Sequence, residues 1–113
     1  MTRPILRTAV AAMLLASSAP LAAGAAGFTL LNASGTALKS VEIRRSPGGG
    51  WQPLVPGVDA GARVASKFAD PDCAFDIRAT GTRLITWSGV NLCGATVVVL
   101  KIDPSGSPWV DYD

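Results

Sequence analysis

From Phe28 onward the apolar residues of this chain recur at every second position, the period of a strand with one face in a core and the other in water. Phe28 to Asn32 opens the pattern and ends at the turn signal Ala33-Ser34-Gly35-Thr36. Leu38 to Arg45 follows, with Val41 and Ile43 on one side and Glu42 and Arg44 on the other. Ser46-Pro47 and the glycines 48–50 break it. A short strand is expected over Trp51–Val55, and another over Arg63–Phe68 before the turn Asp70-Pro71-Asp72. Cys73, Phe75, Ile77 and Ala79 then share one face, with Asp76 and Arg78 on the opposite one. Thr80-Gly81-Thr82 reads as a hairpin turn into Arg83–Trp87, and Thr96–Ile102 is a β-branched run. No stretch after residue 25 carries a helical stripe. Short strands at this spacing predict an all-β domain, a small antiparallel β-sandwich, Ig-like or similar, of about six to eight strands.

The first 25 residues follow a different rule. Arg3 and Arg7 make a short basic start, Ala9 to Ala16 an apolar run, and Pro20 a break before small residues. This is the order of a helical secretion signal, cut after Ala25, with Ala23 and its small neighbours as alternative positions. A membrane anchor needs about 20 strongly apolar residues, whereas this run is shorter, rich in alanine and interrupted by Ser17 and Ser18. A lipoprotein would need cysteine where Ala25 stands, and a twin-arginine signal adjacent arginines. The expected organisation is a signal peptide over residues 1–25, a sandwich over 26–102 and a C-terminal tail over 103–113. The location expected is periplasmic or secreted, with no stable membrane insertion after cleavage.

Loss of the leader changes the charge. The whole chain carries ten basic and eight acidic residues, but two of the basic ones are Arg3 and Arg7, so the remainder is neutral. A neutral domain has no general field for phosphate, and nucleic acid is not an expected partner. The two cysteines, Cys73 and Cys93, would meet an oxidising compartment, and with two there is one possible pairing. Closing that loop stabilises a small domain by about 3 kcal/mol in the chain-entropy model. A redox or nucleophilic thiol is the rival reading, but the chain has no histidine and no Cys-x-x-Cys.

Several of these segments together resemble a group of small exported bacterial proteins. The shared pieces are Phe28 to Asn32 with Ser34-Gly35, Trp51, the strand Cys73 to Arg78, and Asn91-Leu92-Cys93. The group's pattern is Phe-x-x-x-Asn-x-Ser/Thr-Gly, then Cys-x-aromatic-Asp-Ile/Leu-Arg, then Asn-Leu-Cys about twenty residues later. The resemblance runs over roughly residues 28–100. It implies the fold and the disulfide and carries over no catalytic residue.

The absence of histidine removes a Ser-His-Asp triad, a Cys-His pair and a histidine zinc site. Gly48-Gly49-Gly50 lacks the Lys-Ser/Thr of a phosphate loop. Asn32-Ala33-Ser34 fits a glycosylation sequon but equally a turn. Glu42 and Asp76 are the pair of carboxylates that strand pairing could bring together, without a spacing that sets them in a cleft. Asp70, Asp72 and Asp76, three carboxylates within seven positions at a loop, are the candidate ligands for calcium, although Asp-Pro-Asp is also an ordinary turn. No cofactor is expected. Of the three tryptophans, Trp87 is expected in the core and Trp51 at the surface, where it would be a possible ligand-binding platform. The tail, punctuated by Pro104, Gly106 and Pro108, is expected to lie extended with Trp109 and Tyr112 over the sandwich; the alternative is a partner-binding strand. These readings point to a non-enzymatic exported domain of the bacterial envelope that binds an unknown protein or glycan. The alternatives are an inhibitor of a secreted protease, acting through loop 46–50 or 70–72, and a carbohydrate-binding module acting through Trp51.

Overall fold

Two four-stranded sheets face each other in the computed structural model, which describes residues 24–113; the expected signal helix lies outside them. The strands are β1 (Phe28–Ala33), β2 (Leu38–Arg45), β3 (Gln52–Val58), β4 (Arg63–Ser66), β5 (Ala74–Thr80), β6 (Leu84–Asn91), β7 (Val97–Ile102) and β8 (Pro108–Tyr112). One sheet has the order β4-β1-β7-β8, the other β3-β2-β5-β6. Every pairing is antiparallel except β1 with β7. The all-β sandwich read from the alternation is therefore the fold, with one parallel pair joining the first and seventh strands. Among the described residues no helix is long and apolar enough to cross a membrane.

The core is the inward set of the alternation: Phe28 and Leu30, Val41 and Ile43, Phe75, Ile77 and Ala79, Ile85, Trp87 and Val90, and Val98 and Leu100. Phe68 packs edge-on against Phe75, their centroids 5.1 Å apart.

Hydrophobic contact is indifferent to direction, so hydrogen bonds between the sheets help to fix how one lies on the other. Asn32, fully buried in β1, donates from Nδ2 to the Val58 carbonyl of β3 at 3.0 Å and to the Thr36 carbonyl at 2.8 Å. Its Oδ1 accepts from the Ser34 amide and hydroxyl at 3.0 and 2.6 Å. All four bonding positions of the amide are used, and its nitrogen is not free to carry a glycan in the folded domain. Trp87 in β6 makes a second crossing, its Nε1 donating to the Lys101 carbonyl of β7 at 3.0 Å.

Cys73 and Cys93 are joined, their Cα atoms 5.1 Å apart. The bond extends the end of the β5–β6 hairpin, where the Leu92 amide donates to the Cys73 carbonyl. Cys73 is exposed and contributes little burial, so replacing both cysteines by serine isolates the covalent term. A loss of about 3 kcal/mol is expected in urea unfolding, with the reduced wild type falling to the level of the variant. Equal stability of the oxidised wild type and the variant would refute this.

Residues 103–113 are not an extended tail laid over the sandwich. Asp103 accepts at Oδ1 from the amides of Ser105 and Ser107 and from the Ser105 hydroxyl, which folds the proline-punctuated stretch into a turn. The chain then returns antiparallel to β7 as the edge strand β8, with Lys101 opposite Trp109 and Val99 opposite Asp111. The hydrogen-bonded positions of this hairpin include Val97 with Asp113 and Asp103 with Ser107. By alternation Trp109 and Asp111 also bond to β7, and Pro108, Val110 and Tyr112 turn their main chain to the open edge. Pro108 has no amide hydrogen to offer there, and the Tyr112 amide donates to Asp111 Oδ1 at 3.0 Å.

At the other end of the described chain, Ala25 forms an isolated antiparallel bridge with Asp70 and is 7% exposed. Its nitrogen lies 2.7 Å from the Asp70 carbonyl and 3.0 Å from the Asp72 carbonyl, and its own carbonyl accepts from the Asp70 amide.

Candidate functional site

The outward face of β2 and β5 carries charges of alternating sign. Glu42 is directly opposite Arg78 and Arg44 directly opposite Asp76. Arg78 Nε donates to Glu42 Oε1 at 2.8 Å, and Arg44 Nε to Asp76 Oδ2 at 2.9 Å. The two carboxylates singled out from the sequence are thus on one face, yet each is held by an arginine from the other strand. Trp51 closes the group: the guanidinium carbons of Arg44 and Arg78 lie 4.5 and 4.2 Å from its ring centroid. Each such contact is worth about 0.5–2 kcal/mol, more as water is excluded. Trp51 lies on the surface of the sheet as expected but is half-buried there, its ring engaged by these cations. The alternation signalled the ion pairs. The stacking needed the β2–β3 turn to bring Trp51 back over β2 and β5, which no local pattern states.

Asp76 is the buried member of this group, 3% exposed although it points away from the core. A bulge where β5 meets β6 places Gly89, with φ +66°, so that its amide donates to Asp76 Oδ1 at 3.0 Å. Burial acts to raise the Asp76 pKa, but the Gly89 amide, the Arg44 guanidinium and the Ser46 hydroxyl together outweigh it and hold the carboxyl below its usual range. Asp76 is therefore an ionised anchor near neutrality, with no proton to give. Because the folded-state pKa is the depressed one, its stabilisation is present above about pH 4 and fades as pH falls through the folded value. Asp76→Asn is expected to cost about 2 kcal/mol at pH 7, less than a fully buried pair because Arg44 is still 30% exposed at its side chain. Melting followed from pH 7 to pH 3 should show the wild-type advantage shrinking with acid; a gap independent of pH would remove this role.

The three aspartates considered for calcium are divided. Asp70 takes two hydrogen bonds from Arg45 Nε at 3.1 and 3.2 Å and one from its Nη2 at 2.9 Å, and accepts from the Asp72 amide. The Arg45 hydrogen bonds, then that amide, draw its pKa down. Asp72 lies 3.6 Å from the same guanidinium. Asp76 belongs to Arg44. Among the described residues no group of three acidic, cysteine or histidine side chains converges as a metal ion requires.

The most open aromatic surface is on the hairpin of β7 and β8. Trp109 is 44% exposed and Tyr112 43%. Lys101 Nζ is 4.7 Å from the Trp109 ring centroid and 3.9 Å from Asp111 Oδ2, so cation, indole and carboxylate form one strip on the outer face of the sheet. A shallow groove runs beside it, lined by Ala33, Ile102, Asp103 and Pro104. Tyr112 faces the other way, and its hydroxyl accepts from the Asn91 amide at 2.9 Å. Trp109 and Tyr112 were visible in the sequence as aromatics, but not that an eighth strand would display them.

No family model matches this chain. No curated protein matches it either. Among solved structures, the NMR structure of a protein from Eubacterium rectale is similar over 84% of this chain and 94% of that one, with a TM-score of 0.54 at 15% identity. What the two proteins have in common is the fold.

Proposed function

We propose that this protein is a non-enzymatic, exported binding domain that engages its partner through the Trp109–Lys101–Asp111 strip. One observation carries the reading: of the three tryptophans, Trp87 is enclosed and Trp51 is engaged by two arginines, while Trp109 presents its ring beside a charged pair and a groove. Large aromatics with a charge alongside supply most of the energy of recognition surfaces. The paired charges around Asp76 favour a structural over a catalytic use of that face. The disulfide and the leader sequence favour maturation in the periplasm or beyond it.

A photo-reactive benzophenone amino acid placed at Trp109 in the full chain, in its native envelope, tests the assignment. Irradiation is expected to give one discrete adduct, protein or glycan, resolved by gel shift and mass. The same substitution at exposed Lys67 on the far edge of the sheet should give none. No adduct from position 109, or an equal pattern from 67, would reject the strip as the binding surface.

A further inference from the structure

The folded domain makes a demand on its own processing. We infer that the leader is removed between Gly24 and Ala25, one bond before the position that the small residues alone favour, and that the new ammonium group of Ala25 is docked on the loop 70–72. The inference rests on the export part of the proposed function and goes beyond it to the bond that is cut.

Two independent constraints meet at that bond. The first is what the fold uses. Ala25 is buried among the core residues, and its main chain is bonded to Asp70 in both directions. A cut after Ala25 would discard this bridge and leave the loop carbonyls of Asp70 and Asp72 without their donor. The second is what a signal peptidase accepts, small residues at the first and third positions before the bond. A cut after Ala23 has Leu21 at the third position, and a cut after Ala22 has Pro20 there. A cut after Gly24 has Ala22 and Gly24, both small. Of these bonds, only the one after Gly24 satisfies the peptidase and keeps Ala25.

The chemistry of the nitrogen agrees. A peptide amide has one hydrogen, yet the Ala25 nitrogen has two carbonyl oxygens within 3.0 Å, those of Asp70 and Asp72. In the uncut chain it must divide that hydrogen between them. An α-ammonium has three and satisfies both, with charge assistance. Gly24, by contrast, is squeezed: it adopts φ +107°, and a Cβ there would fall 2.5 Å from the Asp70 carbonyl oxygen. Its loss removes a crowded connection and no burial of a side chain.

The full chain with its own leader, expressed in a bacterium and released from the periplasm by osmotic shock, provides the test by N-terminal sequencing and intact mass. The expected start is Ala25-Ala26-Gly27-Phe28. A start at Ala26 or later, or at Gly24, overturns the assignment while leaving export intact. An uncut chain confined to the cytosol overturns export itself, and this inference with it. A second measurement addresses the docking: the domain starting at Ala25 is expected to melt about 5 °C or more above the one starting at Ala26. Equal melting temperatures would show that the terminus is not held.

Discussion

Trp87→Ala is expected to be the most damaging single substitution in this domain, at about 4 kcal/mol. The indole is 1% exposed and the largest of the fully buried side chains. Truncating a core tryptophan costs about 3–5 kcal/mol through lost transfer energy and the cavity left behind. The crossing bond from Nε1 to the Lys101 carbonyl goes with it. For a domain of this size about 4 kcal/mol corresponds to a fall of about 15–30 °C in melting temperature. Trp87→Phe separates the contributions: most of the ring is kept and the bond between sheets is lost, for about 1–2 kcal/mol. Circular dichroism melts of the three proteins check both figures. An alanine variant melting within about 5 °C of wild type would mean that the sheets close over the gap, contrary to the packing described.

Asn32→Asp should cost about 3 kcal/mol, although it changes one atom of the outline. The new oxygen would face the carbonyl oxygens of Thr36 and Val58, both of which now receive hydrogen bonds from Nδ2. A buried carboxylate opposite two carbonyls must take up a proton or break the turn, and either is expensive. Asn32→Ala is expected to fall near the same value for another reason: it removes all four bonds of the amide, and the Ser34 amide and the Val58 carbonyl lose this partner. The pH dependence tells the two apart. Destabilisation by aspartate should ease on acidification, as the carboxyl gains a hydrogen to donate, whereas that by alanine should not follow the protonation of this site. Urea titrations at pH 7 and pH 4 supply the comparison, and parallel responses of the two variants would contradict the assignment of Nδ2 as the inter-sheet donor.

Where the inward face of a strand had its own code, the chain could be read directly. Val41 and Ile43, and Phe75, Ile77 and Ala79, are buried as their alternation requires, and Cys73 bonds to Cys93 with no other thiol to choose. Partner choice between strands was not legible, since β1 reads the same whether β7 lies beside it in parallel or elsewhere. Asp103 hid the last strand: prolines and glycine looked like punctuation, and only the carboxylate's bonds to Ser105 and Ser107 turn that stretch into a hairpin. The stacking of Trp51 was hidden for a similar reason, because its arginine partners come from two other strands. The packing of Ala25 was not legible either, since nothing in its alanine-rich surroundings marks it as the residue that the loop 70–72 holds.

The hairpin edge at β8 sets the terms on which anything can approach it. Since Pro108 has no main-chain hydrogen and that of Tyr112 is already spent on Asp111, the amide of Val110 is the one left for an incoming backbone. An extended peptide seeking to lengthen the sheet would meet three outward carbonyls but a single free amide, a ladder short of two of its donors. Recognition on this side therefore draws on side chains to make up for the missing donors, and copies of the domain zip onto one another there with fewer bonds than a full edge would give.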